Sequence, residues 1–524
     1  MLQKVSQIFH TVRFLKPIQI YYQVWYRVKK RFFGKLKGFK PHTSIAPIFW
    51  QPIISNSKSY SEKFVFSFLN IEHQFKDKID WNFNTHGKLW TYNLNYFDFL
   101  YQENITAQQG LKLINAYVKA DNLLKDGKEP YTISLRGINW IKFLSKHNVE
   151  DYSINQTLYS HYQILLKNLE YHLLGNHLLE NGFSLLFGAY YFKDNQLYRK
   201  ATQIITAQLN EQILKDGAHF ELSPMYHQII FYRLLDTINL INLNDWEQNN
   251  FIDFLKEKAA LMLAWLKHIT FNNGSIPMLN DSAYAIAPSS NQLIAYAKYL
   301  KIKDVEKKLQ DSGYRKINKN NLEICADVGN IKPSYQPSHN HADTFSFVCH
   351  YNNQPIIVDM GTSTYTSNAR RLIERSTKSH NTVTINNENT SKVWSSFRVA
   401  QRANVTLIED NTFKIEAYHN GYGNKYSTNH SRCFDFTEDD LKLTDTIKSN
   451  NAEARFHFHP SVKSINIQGN TIKLTTENLS LNFEGEIKKI QIEDYKFCEG
   501  FNTLKNAKCV VVEFAQKLQT QICV

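Results

Sequence analysis

The sequence predicts a multidomain α + β chain, helical in its N-terminal part and an antiparallel β-sandwich in its C-terminal part. Three observations carry this. Apolar residues recur at spacings of three and four from about Asn104 to Leu300, the period of amphipathic helices. From about Leu322 the period becomes two, the mark of half-buried strands. The chain has 524 residues, 43% hydrophobic and 21% charged, which is material for two or three cored domains and excludes wholesale disorder.

The first element, residues 1–45, is basic and aromatic. Arg27, Lys29, Lys30, Arg31, Lys35, Lys37 and Lys40 place seven cations within fourteen positions, with Trp25, Phe32, Phe33 and Phe39 among or beside them. Arg13, Lys16, Gln19 and Gln23 interrupt the apolar residues and no small-residue cleavage site follows, so no secretory leader is recognised. No run of about 18 apolar residues occurs, so no transmembrane helix is expected. The expected location is cytoplasmic, with the cell envelope or periplasm as the alternative. The segment either packs on the body with a solvated basic end or makes a peripheral contact with an anionic membrane.

Residues 46–315 form the helical domain. Ile105, Leu111, Leu113, Ile114 and Val118 follow the helical period, as do Leu158, Tyr162, Leu165, Leu169 and Leu173, and later Phe254, Leu261, Leu263 and Leu266. Loops at Lys125-Asp-Gly-Lys, Gly175-Asn-His, Lys215-Asp-Gly and Asn272-Asn-Gly separate them. Such a succession forms a bundle, a solenoid or a toroid, and the absence of a strict short repeat disfavours the solenoid. Residues 316–524 form the sandwich. Thr344–His350, Thr412–Ala417, Leu441–Ile447, Val462–Ile467 and Thr471–Thr475 alternate, with Gly, Asn and Asp between them. The boundary is expected near 310–325.

The net charge of +13 suits an anionic partner: nucleic acid, phospholipid headgroups or an acidic polysaccharide. No zinc-finger spacing or RNP-type motif occurs, and no long Lys/Arg block beyond the N-terminus, so no nucleic-acid partner is expected. The six cysteines lie between Cys325 and Cys523 with no CxxC pair, as buried reduced thiols do.

Residues of catalytic type gather at four places. Asn176, His177 and Glu180 lie in Gly175–Gly182. His177 and Glu180, three apart, share a helical face, which also suits a plain helix-cap network. Glu221, Tyr226 and His227 lie in Asp216–His227, where Pro224 should open a helix with Ser223 near its N-cap. Tyr226 and His227 would occupy the first turn on the cleft side, where the helix dipole favours a phenolate. The alternative is a helix start with a buried tyrosine. The third place is His339-Asn-His341, and the fourth comprises Asp359 and His380. An HxH on an extended segment points both rings one way, and a distant Asp and His can converge on them. Two imidazoles and a carboxylate with an open position make a zinc-type site. A polar network at the sandwich rim is the alternative.

Together these segments resemble the heparinase II/III family of polysaccharide lyases. The matching stretches are TYNLNYFDFL at 91–100, ISLRGINWIKFL at 133–144, GNHLLENG at 175–182 and DGAHFELSPMYH at 216–227. They continue with MLNDSA at 278–283, HNHADTFSF at 339–347, PIIVDMGTSTY at 355–365 and SHNTV at 379–383, in the family's order. The resemblance implies an N-terminal incomplete (α/α) toroid followed by a C-terminal antiparallel β-sandwich. It also implies β-elimination at a uronic acid, in which the C5 proton is removed and the C4–O bond breaks. By resemblance Asn176 neutralises the uronate carboxylate. Tyr226 protonates the leaving O4 and can serve as base in syn geometry. His339 is the candidate base for the other face, with His177 a second candidate or a neutralising partner. Arg136, Asn139, Glu180, Glu221 and His227 are the implied substrate-binding residues. His341, Asp359 and His380 are implied to hold a divalent metal, zinc by chemistry, in a structural role. The basic N-terminal extension departs from secreted members and points to a capsule or lipopolysaccharide glycan rather than heparin. A hydrolase, or a carbohydrate-binding assembly protein on the same fold, is the competing expectation. The co-occurrence of Asn176, Tyr226 and His339 favours an active lyase.

Overall fold

The computed structural model describes residues 2–32, 44–247, 250–319, 321–436, 440–476 and 478–523. Lys35, Lys37 and Lys40, with Phe33 and Phe39, lie outside the described residues. The basic segment supplies two helices, α1 (Leu2–Val12) and α2 (Pro17–Phe32). A small antiparallel sheet follows: β1 (Tyr60–Ser61), β2 (Val65–Phe68) and β3 (Ile71–Gln74).

The helical domain comprises α3 (Lys88–Tyr96), α4 (Ala107–Ala120), α5 (Pro130–Lys146), α6 (Tyr152–Lys167), α7 (Gly175–Phe192), α8 (Asn195–Gln212), α9 (Pro224–Leu243), α10 (Phe251–Ile269) and α11 (Ser290–Tyr299). Odd-numbered helices pack in succession, α3 on α5, α5 on α7, α7 on α9 and α9 on α11. Even-numbered helices cover them, α6 on α5, α8 on α7 and α10 on α9. This is the two-layered, incomplete toroid. Composition explains which helix lies inside. Helix α7 is apolar nearly all round, and all its residues except His177 are buried, as an enclosed helix must be. Helix α8 buries a stripe, Leu197, Ala201, Ile204, Ile205, Gln208 and Leu209, and leaves its other side to water.

The sandwich has two sheets. The smaller is β4 (Tyr314–Lys319), β5 (Leu322–Asp327), β6 (Phe347–Tyr351) and β7 (Gln354–Ile357), in that order. A six-residue helix α12 (Ala369–Glu374) follows, then β8 (Val383–Ile385) and a hairpin of β9 (Val393–Trp394) and β10 (Arg398–Val399). The larger sheet runs β11 (Val405–Asp410), β12 (Lys414–His419), β13 (His430–Phe436), β14 (Leu441–Ile447), then β19 (Thr503–Cys523), β18 (Leu479–Gly500), β17 (Thr471–Leu474) and β16 (Ile465–Gln468). Strand β15 (Ala452–His457) joins β19 to β8.

The smaller sheet is buried on both faces. On β5 Leu322, Ile324 and Ala326 enter the sandwich core, whereas Cys325 enters the helical core together with Tyr314 and Val348. Two further ties support the joint. Asp216 Oδ2 accepts from the Gln310 and Ser312 N–H groups at 3.0 and 2.8 Å and from Ser312 Oγ at 2.7 Å. The long β18–β19 hairpin brings Phe501 O to Asn70 Nδ2 at 2.9 Å, and Asn502 Nδ2 to Leu69 O at 2.9 Å. Among the described residues no helix is long and apolar enough to cross a membrane.

Candidate active site

Asn176, Glu221, Tyr226 and His339 converge where the toroid meets the sandwich. Helix α7 opens on a left-handed pair, Leu174 at φ 62° and Gly175 at φ 58°. A Cβ at Gly175 would stand 2.5 Å from Glu221 Oε1, so the glycine is what lets this carboxylate reach the helix N-terminus. There Glu221 accepts from the Asn176 backbone N–H at 3.1 Å and faces Asn176 Nδ2 with both oxygens, at 3.0 and 2.8 Å. Burial alone would raise the Glu221 pKa. His219, His339 and the Asn176 hydrogen bonds outweigh it and hold the group as a carboxylate. Asn176 is thus part of this site, with its amide donor engaged by Glu221.

His177, next along α7, is half-exposed. Its Nδ1 lies 3.1 Å from Glu170 Oε1 and its ring 4.7 Å from that of Tyr131. Burial opposes its charge, but Glu170, aided by Glu221 and Glu180, raises its pKa and biases it to imidazolium.

Pro224 does open α9, and Ser223 is its N-cap, accepting from Tyr226 N at 3.2 Å. Tyr226 projects into the joint. Its ring stacks on His339 at 3.9 Å and 29°, and its hydroxyl lies 3.4 Å from that of Tyr365. Burial, then Tyr365, Asp281 and Glu221 push its pKa well above the ordinary phenol value. The helix dipole does not win: the surroundings keep Tyr226 a protonated donor, not a phenolate. Tyr365 and the exposed Phe397 also approach the His339 ring, at 6.2 and 6.0 Å.

His339 is held by a carboxylate. Its Nδ1 lies 3.0 Å from Asp281 Oδ2, and its Nε2 lies 3.7 Å from Glu221 Oε2. Asp281 also takes His341 Nε2 at 2.9 Å, Thr362 Oγ1 at 3.3 Å and both terminal nitrogens of Arg371, one of them at 2.6 Å. Burial would raise the Asp281 pKa, yet Arg371, His339 and His341 hold it well below the carboxylate range. Asp281, Arg371 and Tyr365 are absent from the expected site list. Asp281 and Tyr365 fall in matching stretches, whereas nothing in the sequence distinguishes Arg371.

Four expected substrate-binding residues lie elsewhere. Arg136 is fully buried and donates to Asn95 O at 3.2 Å and Gly127 O at 2.7 Å, with its guanidinium 4.6 Å over Tyr117. Asn139 donates to Tyr96 O at 2.9 Å and Asp98 Oδ1 at 2.6 Å. Both bind the helical core to the 95–98 segment. Glu180 is buried against Arg233 Nε at 2.7 Å and does not pair with His177. His227 faces the core, with Nε2 3.0 Å from Met262 O and Nδ1 accepting the His219 N–H at 3.2 Å. Neighbours on a helix point about 100° apart, so a cleft-facing Tyr226 turns His227 inward.

The expected metal ligands are near one another but are paired differently. Asp359 Oδ2 binds His380 Nδ1 at 2.6 Å, and His341 turns its Nε2 to Asp281, with the two imidazole rings 5.3 Å apart. Among the described residues no group of three His, Cys, Asp or Glu is arranged to hold a metal ion. The donor chemistry is nevertheless suitable: His341 Nδ1, His380 Nε2 and Asp343 Oδ2 are buried and lack hydrogen-bond partners.

Asp281→Asn keeps the shape and removes the charge opposite a buried guanidinium. It should cost about 3–5 kcal/mol of stability, read from the urea midpoint at an unchanged slope. A midpoint equal to wild type would refute the pairing. The raised His177 pKa makes the charged pair with Glu170 stabilising below the unfolded pKa of about 6.5, an effect lost as pH rises through the higher folded value. His177→Gln should therefore flatten the fall in melting temperature just above that pH. Identical profiles would show that the pair does not titrate with folding.

Two family models match the chain, heparinase II/III N-terminus over residues 133–310 and heparinase II/III-like, C-terminal over 303–524. A heparin-sulfate lyase of Bacteroides stercoris is 25% identical over 268 residues, 45% of this chain. The match spans only 40% of that relative's length. A crystal structure of heparinase III superposes with a TM-score of 0.66 at 14% identity, covering 99% of this chain and 93% of that one. The heparan sulfate lyase of Pedobacter heparinus gives 0.55 at 16% identity, covering 88% and 81%. At these identities the structures attest a shared fold. With both of its domains matched in order, the chain belongs to the heparinase II/III family.

Proposed function

We propose that this chain is a polysaccharide lyase that cleaves a uronate-containing acidic polysaccharide by β-elimination, in the metabolism of a capsule- or lipopolysaccharide-type glycan. The observation that carries the reading is the stack of a protonated Tyr226 on a carboxylate-oriented His339, with Glu221 joining His339 to the N-terminus of the helix that carries Asn176 and His177. A proton beside a carboxylate is weakly acidic, because removing it builds a second negative charge on an enolate. The site must therefore offset the carboxylate, then supply a base and an acid. His177 offers positive charge at the cleft surface. Asn176 offers an amide donor, for which the uronate competes with Glu221. In its neutral tautomer with the Nδ1 proton directed at Asp281, His339 would offer the Nε2 lone pair to the C5 proton. The C5–H electron pair becomes the C4–C5 double bond, the C4–O bond breaks, and the Tyr226 hydroxyl protonates the departing O4.

We propose a divalent ion, zinc by donor chemistry, at His341 and His380. Asp359 is the carboxylate the resemblance assigns, and Asp343 is the one with a buried free oxygen. The ion would tie the loops carrying these residues together behind His339, a structural role. We propose also that the basic N-terminal helices bring the enzyme to an anionic membrane.

Tyr226→Phe should keep the melting temperature and lower turnover about 10²–10⁴-fold. The readout is ultraviolet absorbance of the unsaturated uronate, over a panel of acidic glycans. A folded variant with wild-type turnover would sink the acid assignment, and no absorbance on any acidic glycan would sink the lyase reading. For the metal, elemental analysis should give about one ion per chain, and chelation should lower the melting temperature of wild type but not of His341→Ala. Carefully purified protein without metal would remove the ion.

A further inference from the structure

Helices α1 and α2 are amphipathic in the reverse sense for helices lying on a protein. Their inner sides are polar and hydrogen-bonded to the body. Gln19 is buried and donates to Leu173 O at 3.2 Å and Gln336 Oε1 at 3.1 Å. Tyr22 stacks on Tyr171 at 4.8 Å, Tyr26 donates to Leu169 O, and Lys16 pairs with Glu211. Trp394 Nε1 donates to Thr11 Oγ1 at 3.2 Å, and Arg402 lies 4.0 Å over Phe14. Leu169, Leu173 and Glu211 belong to the toroid, whereas Gln336, Trp394 and Arg402 belong to the sandwich. The helix pair is therefore fixed across both domains.

The outer sides are apolar. Val5, Ile8, Phe9 and Val12 follow the i, i+3, i+4, i+7 pattern of one helical face and are 44% to 63% exposed. On α2 Tyr21, Val24, Val28 and Phe32 are 37% to 71% exposed. Gln19 and Val28 are nine residues apart, half a turn round the helix, so this face is opposite the one that packs. Soluble monomers rarely leave so dense an apolar patch in water. Exposed Arg13, Arg27, Lys30 and Arg31 border it, and no Asp or Glu precedes Glu62. A second copy docking here would set cations against cations. An anionic bilayer satisfies both properties, taking the apolar side chains below its headgroups and the cations among them.

We infer that the outward faces of α1 and α2 form one lipid-binding surface, mounted rigidly on the catalytic body, that seats the enzyme on an anionic bilayer. This rests on the membrane reading above and adds which residues enter the lipid. The contact is a preformed face and not a loose tether, so it fixes how the enzyme lies on the surface.

The test uses the full chain and vesicles of phosphatidylcholine with and without phosphatidylserine. Wild type should sediment with the anionic vesicles, and less so as salt rises. Phe9→Glu/Val28→Glu should weaken this by about tenfold or more, with unchanged circular dichroism, melting temperature and turnover of soluble glycan. Val24→Ser/Phe32→Ser, which adds no charge, should weaken it in the same direction. If wild type binds and both double variants bind equally well, the outward face is not the contact, and only the broader membrane reading stands. If wild type binds no vesicle at any salt, both fall. A wild-type dimer that the variants split, without vesicle binding, would assign the face to a second copy and overturn the inference.

Discussion

One buried carboxylate sets the geometry of the candidate site. Asp281 projects from the toroid side, and the sandwich receives it with Arg371, His339, His341 and Thr362. A buried ion is tolerated only when its partners are close and well aligned, so the two domains can meet in essentially one register. The backbone repeats the constraint: Asp281 N donates to His339 O at 3.0 Å, and Asn280 Oδ1 accepts from His341 N at 2.9 Å. Ser223, the cap of α9, donates to Asp281 O at 2.7 Å. The start of the Tyr226 helix and the plane of the His339 ring are thus both referenced to one residue. Their stacking follows from that shared origin.

The cleft separates its charges by depth. At the surface His177 is biased to carry a proton. Beneath it Glu221 stays ionised and occupies the amide of Asn176, and still deeper Glu180, Arg233, Asp236 and Lys142 form a closed ion network. Burial there lowers the Lys142 pKa to about 8, against the pull of Asp236. Glu180 and Arg233 therefore satisfy each other beneath the site. Glu221 holds Asn176 in place through its backbone and side-chain N–H groups.

The fold class was legible because each half repeats a simple period, three to four and then two. The helix start at Pro224 was legible from its cap chemistry, and the convergence of His339 and Tyr226 from the motif order. Side-chain direction was not. Arg136, Asn139 and His227 lie in or beside stretches that form the site, but a motif match names residues without saying which way each faces. His341 and His380 do come within reach of one another, but the hydrogen bonds divide them: His341 turns to Asp281, which His339 also meets, whereas His380 pairs with Asp359. Arg371 was invisible, since it stands next to Arg370 on a six-residue helix and no pattern says which of the two turns to Asp281. For the N-terminal segment, packing on the body and contact with an anionic membrane stand as alternatives in the sequence, yet packing uses only one side of each helix and leaves the other exposed.

The smaller sheet is a party wall. Its Leu322 and Ile324 belong to one core and its Tyr314, Cys325 and Val348 to the other. Unfolding the toroid would bare one face of these strands to water, and unfolding the sandwich would strip the other. Neither half therefore has a boundary at which it could come apart alone, and the chain has the anatomy of one cooperative unit despite its two architectures. The candidate site adjoins this wall, where Tyr314 donates to Leu222 O and accepts from Asn280 Nδ2. The free energy that joins the halves is the same free energy that keeps Asp281, His339 and Tyr226 in place, so damage to the joint would disturb that arrangement before it dismantled either fold.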